Sequence, residues 1–526
     1  MRNFPFHRPW TGFFCALPML AALSAASAQY LRSQDLKSFA QRTTVKILPN
    51  GLTLILCERH EAPVFSYTTY IDAGDVNDPS GQSGLAHMFE HLAFKGTSQI
   101  GTTDYSAEKI ALAKVEAANA AYQAEALKPV GRDEKKLAAL KQVFLAAQTE
   151  AQKFVVPNQF TEVAEENGAS GLNAETTLDE TEYYWSMPEN RLELWAWMES
   201  GRLADAVPRE FYKERDVVFE ERRTRVDSEP TGRLIEQFIA TAYVAHPYGR
   251  SSIGWPSEVS QINATEAMDF HKKFYAGGNI VVAIVGDVDA KTALPMLEKY
   301  FGRVPAGPKP EEMTTVEPSQ FAEKSVVIRE QTQPFYIEGY HRPGFRDADD
   351  AVYDAIADIM SNGRVSRLYR SLVEQQQIAA EAQGFSPFPG AKYPGLFAFY
   401  ALPLPGHTPA EMRKAIHKEI DKLKTADVSD AELKMFKTRA RADLLRGLAD
   451  NQGLANSLAE YQTRYGDWRE LFLSLDRVDK VTKADIRRVA NQVFVASNRT
   501  TAEIDTDAPA ANAKQTANAK QNGGAQ

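Results

Sequence analysis

His87-Met88-Phe89-Glu90-His91 is the stretch on which the reading of this chain turns. On an α-helix, positions i, i+3 and i+4 share one face. His87 and His91 can therefore hold one divalent ion while Glu90 points at a water beside it. The order H-x-x-E-H inverts the thermolysin-type H-E-x-x-H pattern, so the spacing implies a metal-dependent hydrolase site. The flanks, Gly84-Leu85-Ala86 before and Leu92-Ala93-Phe94 after, set these polar groups into an apolar helix. Buried histidines need a partner, and a metal ion supplies one.

A catalytic zinc takes three protein ligands and keeps a position open, so two histidines are one short. Glu214-Arg215-Asp216-Val217-Val218-Phe219-Glu220-Glu221-Arg222 has helical spacing and offers a carboxylate. Glu214 and Glu221 are two turns apart and share a face with Val217 and Val218 between them, whereas Glu220 points about 100° away from Glu221. Glu221 is the expected third ligand. Glu214 is expected beside it, as a catalytic-site carboxylate supporting a ligand histidine. The competing reading of this acidic helix is a solvated face with Arg215, Arg222 and Arg223.

Bulk properties bound the setting. Arg2 and Arg8, an apolar run at Phe13–Leu23 and Ala26-Ser27-Ala28 read as a secretory signal over residues 1–28, which implies export, in a bacterium to the periplasm. Cys15 follows Phe14 rather than a small residue, which argues against a lipid anchor. Beyond that segment Cys57 is the one cysteine, so no internal disulfide is expected and stability rests on core burial. A hydrophobic content of 44% suffices for two or three domains. The net charge of −9 argues against nucleic acid as the main partner, and no later stretch is apolar enough to span a bilayer.

Thr44–Leu48 and Leu52–Leu56 read as strands joined by an Asn50-Gly51 turn, followed by a strand at Phe65–Ile71. Ala107–Phe154 reads as a two-helix hairpin broken at Pro129 and Gly131, an insert at about 105–160. Gly171–Thr177 and Glu182–Trp185 read as an extended pair, with helices at Glu189–Arg202 and Arg209–Val226. Asn279–Asp287 reads as a buried strand. Prolines and glycines between 302 and 320 mark a linker. After it, strand, loop and helix recur at Pro334–Tyr340, Arg342-Pro343-Gly344 and Asp349–Met360 without the metal motif, which suggests a duplicated domain. The expected organisation is an α+β chain with a catalytic domain at 40–303, a linker at 304–322, a second homologous domain at 323–500 and a disordered tail at 505–526.

Gly84 to Thr97 as a whole resembles the active-site helix of the insulinase and pitrilysin peptidases, especially the half-length branch that contains mitochondrial processing peptidase. Gly171-Leu172-Asn173-Ala174 with Tyr183-Tyr184, Glu214 to Glu221, His246-Pro247-Tyr248-Gly249 and Asn279 to Asp287 match further family segments in order. The resemblance covers about residues 40–500 and implies two sheet-and-helix domains forming half of a clamshell. It also implies one Zn²⁺ on His87, His91 and Glu221, Glu90 as general base, and Asn173 and Ala174 on a strand that pairs with the substrate backbone. The activity implied is endopeptidase cleavage of oligopeptides or unfolded segments. In the family an Arg and a Tyr seven residues later help hold the substrate, and here Val373 and Ala380 stand at those places. A second homologous subunit supplying that pair is therefore expected, with a homodimer as the alternative. The rival function is a peptide-binding subunit that no longer cleaves.

Overall fold

The computed structural model describes residues 36–506, so the signal segment at 1–28 and all but the first two residues of the tail lie outside the described residues. The first half contains α1 (Leu36–Arg42), β1 (Thr43–Ile47), β2 (Thr53–Glu58), β3 (Val64–Ile71) and α2 (Leu85–Leu92). The hairpin α3 (Tyr105–Ala126) and α4 (Glu134–Gln152), then α5 (Gln159–Glu166), lead to β4 (Ser170–Thr176) and β5 (Thr181–Pro188). α6 (Leu192–Ala204), α7 (Phe211–Arg222), α8 (Pro230–Ala242), α9 (Pro256–Val259), α10 (Ala264–Phe274), β6 (Ile280–Gly286) and α11 (Ala290–Phe301) complete it. The second half runs β7 (Lys324–Arg329), β8 (Phe335–Arg342), α12 (Asp350–Ser361), β9 (Ala379–Phe388), β10 (Gly395–Pro403), α13 (Pro409–Thr425), α14 (Asp430–Gly447), α15 (Asn451–Tyr465), α16 (Glu470–Lys480), α17 (Lys483–Val493) and β11 (Arg499–Asp505).

The strand orders are β1-β2-β6-β3-β5-β4 and β7-β11-β8-β10-β9. In each half the last strand slots between the first two of a shared pattern. β6 lies parallel to β2 and antiparallel to β3, as β11 lies parallel to β7 and antiparallel to β8. Two antiparallel neighbours then follow in each, β5 and β4 or β10 and β9. Every residue of β6 is buried, as a central strand covered on both faces requires. The second half is thus the first repeated without β1, an α+β architecture in both copies. β11 carries the second sheet to Asp505, past the boundary at 500. Its alternation of buried Ala502 and Ile504 with polar neighbours is too short to stand out from the polar sequence that follows.

Each half covers one face of its sheet with its own helices and borrows a helix for the other. Leu454, Ala455, Leu458 and Ala459 of α15 pack on Ile55, Cys57, Tyr70, Val281 and Val285 of the first sheet. Leu234, Phe238, Ile239 and Ala242 of α8 pack on Phe335, Ile337, Leu396 and Ile504 of the second. Burying the Leu, Ile and Phe side chains among them stabilises by roughly 1.5–3 kcal/mol apiece, so the exchange welds the halves together. The segment between the halves is strapped down as well, because the Glu317 carboxylate accepts from the backbone N–H groups of Val244 (2.8 Å), Ala245 (3.0 Å) and His246 (2.9 Å). Among the described residues no helix is long and apolar enough to cross a membrane.

Candidate metal centre

α2 is held at its start from a distance. Gly84 takes a left-handed backbone (φ 88°) where the chain turns into the helix, and the Asp78 carboxylate accepts from the N–H groups of Gly84 (2.7 Å), Leu85 (3.1 Å) and Ala86 (2.9 Å). These are N–H groups the helix cannot satisfy itself. Leu85, Ala86, Met88, Phe89 and Leu92 are buried in the first core, which leaves His87, Glu90 and His91 on the remaining face. α7 crosses that face, anchored by buried Phe211, Tyr212 and Val218. Val217, grouped with Val218 by spacing, is turned outward and is 44% exposed.

The crossing brings three donor atoms together. Glu221 Oε2 lies 3.6 Å from His87 Nε2 and 3.5 Å from His91 Nε2, and all three lie within 4.8 Å of one another. The two imidazole rings stand nearly perpendicular, at 88°, with centroids 5.0 Å apart. Three ligands at tetrahedral angles around zinc sit about 3.4 Å apart, given bonds near 2.1 Å. Hydrogen bonds would draw such atoms closer, to about 2.8–3.0 Å. The residues therefore fit a zinc ion, with one tetrahedral position left over.

Burial, helped by the neighbouring His91, pushes His87 down to about 4 against the opposing charge of Glu221. Burial works against charge on His91 too, but contacts with Glu214 and Glu221 outweigh it and lift the ring to about 9. Contact with His91 holds Glu221 below the usual carboxylate range. Glu90 is raised by burial, opposed by Thr176 and His91.

Glu214 stands behind the centre. Its Oε2 is 3.5 Å from His91 Nδ1 and its Oε1 is 2.6 Å from Lys95 Nζ, and it is not among the side chains lining the cleft. It lies against the His91 ring, placed to orient it, and does not face the cleft, where a catalytic carboxylate would sit. Glu220, as its angle on the helix requires, is in solvent with Arg223. The cleft itself, about 620 Å³, is lined by His87, Glu90, His91 and Glu221, by Asn173–Thr176, and by Arg225, Val226 and Ser251–Ile253. Asn173 and Ala174 lie on β4, the last strand of the sheet, whose one partner among the described residues is β5. β4 thus presents an unpaired backbone edge to the cleft. In the second half Val373 packs on that half's core, and Ala380 is exposed on edge strand β9.

Three residues escaped the sequence reading. Asp78 lies six positions before Gly84, outside the short window in which helix caps are sought. Lys95 looked like flanking sequence. Arg225, four residues after Glu221, had helical spacing as its signal, and its Nη1 lies 2.6 Å from Glu221 Oε1.

The fold is that of the insulinase-type peptidases. Two family models match the chain, Insulinase (Peptidase family M16) over residues 54–154 and Peptidase M16 inactive domain over residues 261–440. The chain belongs to this family and to its half-length branch. Zinc protease PqqE of Helicobacter pylori is 27% identical over 490 residues, 89% of this chain and 94% of that one. A probable mitochondrial-processing peptidase subunit beta of Arabidopsis thaliana is 22% identical over 86% of this chain and 76% of its own length. The solved structure of a protease from Helicobacter pylori has a TM-score of 0.72 at 24% identity, covering 88% of this chain and 99% of that one. For the periplasmic protease PqqL from Escherichia coli the TM-score is 0.64 at 16% identity, over 92% of this chain but 51% of PqqL.

Proposed function

We propose that this chain is a zinc-dependent endopeptidase that cleaves oligopeptides or unfolded segments. The convergence of His87 Nε2, His91 Nε2 and Glu221 Oε2 in one cleft with Glu90 is the observation that carries the reading. When bound, zinc supplies a Lewis acid that polarises the peptide carbonyl and makes a water acidic near neutral pH. Glu90 takes the proton of the attacking water on its carboxylate and passes it to the leaving amine. Burial raises its pKa above the ordinary carboxylate value, which favours taking up a proton. Glu214, itself charged through His91 and Lys95, fixes the ring of His91. The free edge of β4 at Asn173 and Ala174 takes the substrate as an added strand, so main-chain hydrogen bonds bind it with little demand on side chains.

Two further parts of the reading come from outside the cleft. The basic, apolar and small-residue segments of residues 1–28 support export, to the periplasm in a bacterium. Val373 and Ala380, where relatives of the family place an Arg and a Tyr, favour a second homologous subunit that completes the substrate site, and the match to about half of PqqL fits such pairing of halves. A partner-dependent or non-cleaving subunit is the alternative.

Cleavage of a quenched fluorescent peptide by zinc-loaded protein, alone and with any subunit that copurifies from the native source, tests this. Cleavage lost in Glu90→Gln is the expected result. No cleavage in either preparation would leave the peptide-binding alternative.

A further inference from the structure

Peptide hydrolysis places negative charge on the carbonyl oxygen, and a site that accelerates it needs donors aimed there. The cleft is otherwise rich in acid, with Glu90, Glu175 and Glu221 on its walls. Among the described residues lining it, Arg225 is the one Lys or Arg side chain. Asn173, Thr176, Ser251 and Ser252 are neutral.

An irregularity sets the position of Arg225. α7 ends at Arg222 and the chain continues as a wider π-helical turn, Arg223–Asp227, a rare conformation frequent at functional sites, although a second one at Tyr369–Gln375 lies in the other half. Arg223 goes to solvent with Glu220, while Arg225 and Val226 enter the cleft wall. Arg222 fixes the neighbouring wall by donating from Nη1 to the Gly254 carbonyl (2.7 Å) and to Glu236 Oε1 (2.8 Å), which ties the Ser251–Ile253 loop to α7.

Arg225 meets the oxygen of Glu221 that the histidines leave free. Its Nη1 lies 2.6 Å from Oε1, whereas Oε2 faces His87 and His91. A guanidinium has five N–H groups, and this contact uses one of them. The side chain is 71% exposed, so the others are open to a ligand. An exposed ion pair adds little to stability, so the placement is not explained by the fold's needs.

We propose that Arg225 is a further catalytic residue: it holds Glu221 as a one-oxygen ligand and turns its remaining N–H groups toward the carbonyl oxygen of the peptide bond being cleaved. This rests on the peptidase reading above. The water oxygen bonds to the carbonyl carbon, the C–N bond breaks, Glu90 carries the proton to the amine, and Arg225 keeps all its protons and stabilises the oxygen by charge.

The test compares Arg225→Ala and Arg225→Lys with Arg223→Ala, a solvent-facing control two residues away. Arg225→Ala is expected to weaken zinc binding about 10-fold in chelator competition and to lower kcat about 100-fold with KM little changed. It should also weaken a peptide phosphonate, whose anionic oxygen mimics the reacting carbonyl, by a similar factor while an uncleaved peptide binds as before. Arg225→Lys should recover part of each loss, since it restores charge without the planar fork. Arg223→Ala should match the wild type. Wild-type zinc and phosphonate affinities in Arg225→Ala would overturn the proposal. If the wild type cleaves nothing, the peptidase reading falls separately, and these two affinities still decide the role of Arg225.

Discussion

The two halves share a strand pattern and place helices alike, yet one gathers metal-binding side chains and the other does not. In the first half α2 brings His87, Glu90 and His91 against Glu214 and Glu221 of α7. In the second, the helix after the corresponding strand is α12, facing α14. There Asp358 meets Arg439 at 3.2 Å, and among the described residues the one group able to hold a metal ion is that of the first half. The scaffold therefore supplies two similar stages, and a handful of side chains distinguishes the one with the candidate metal centre. What the second half keeps is structural, since α15 closes the first sheet and α8 closes the second.

The sharpest way to break this contrast is Glu90→Gln, which retains the shape of α2 and the three ligand atoms. We expect activity to fall by about 10²–10⁴, the range of general acid–base catalysis, with the zinc content of the purified protein unchanged. A variant that kept ordinary activity would remove Glu90 from the mechanism.

The structural role of the second half is probed by Leu458→Ala, which deletes a fully buried side chain of α15 from the face of the first sheet. The expected loss is about 2–5 kcal/mol in denaturant unfolding. Unfolding of the second half alone would show that the exchange of helices does not couple the halves.

The seam between the halves also holds a carboxyl with a pH signature. Burial, reinforced by Glu180, Glu460 and Glu175, pushes Glu182 up to about 8 against the opposing charge of Arg464. A solvated glutamate ionises near 4.3, so the folded chain keeps a proton over a range in which the unfolded chain has released it. The stabilisation is complete below the lower value and is lost as pH rises through the higher one. Glu182→Gln should accordingly raise Tm at pH 8 and above relative to the wild type, and change it little below pH 4. An equal shift at both ends would mean that the charge is not what destabilises.

The smallest effect is expected from Asp358→Asn in the second half. Peptide cleavage should be unchanged and stability lowered by about 1 kcal/mol or less, as for other partly exposed ion pairs. A large drop in kcat would show that the second half contributes to the chemistry.

Much of the centre was legible because its signals are local. His87, Glu90 and His91 lie within one turn, and Glu214 and Glu221 within two, so helical geometry alone puts them on common faces. The apolar run at β6 and the Asn50-Gly51 turn were legible for the same reason. The parallel pairing of β2 with β6 joins residues more than 220 apart, as Thr53 opposite Val281, and nothing local encodes it. The exchange of α8 and α15 was hidden too, since an amphipathic stripe shows that a face is buried but not against what. Asp78 and Arg225 act over a loop and through a π-helical turn, where regular spacing no longer predicts direction.

The central claim is that His87, His91 and Glu221 hold one zinc ion while Glu90 serves it without binding it. Zinc per chain after dialysis, measured by inductively coupled plasma mass spectrometry on wild type, Glu90→Gln and Glu221→Gln, tests it most directly. One zinc per chain in the first two and none in the third is the predicted result. A wild type without zinc, or a Glu221→Gln variant that keeps a full equivalent, would contradict the account.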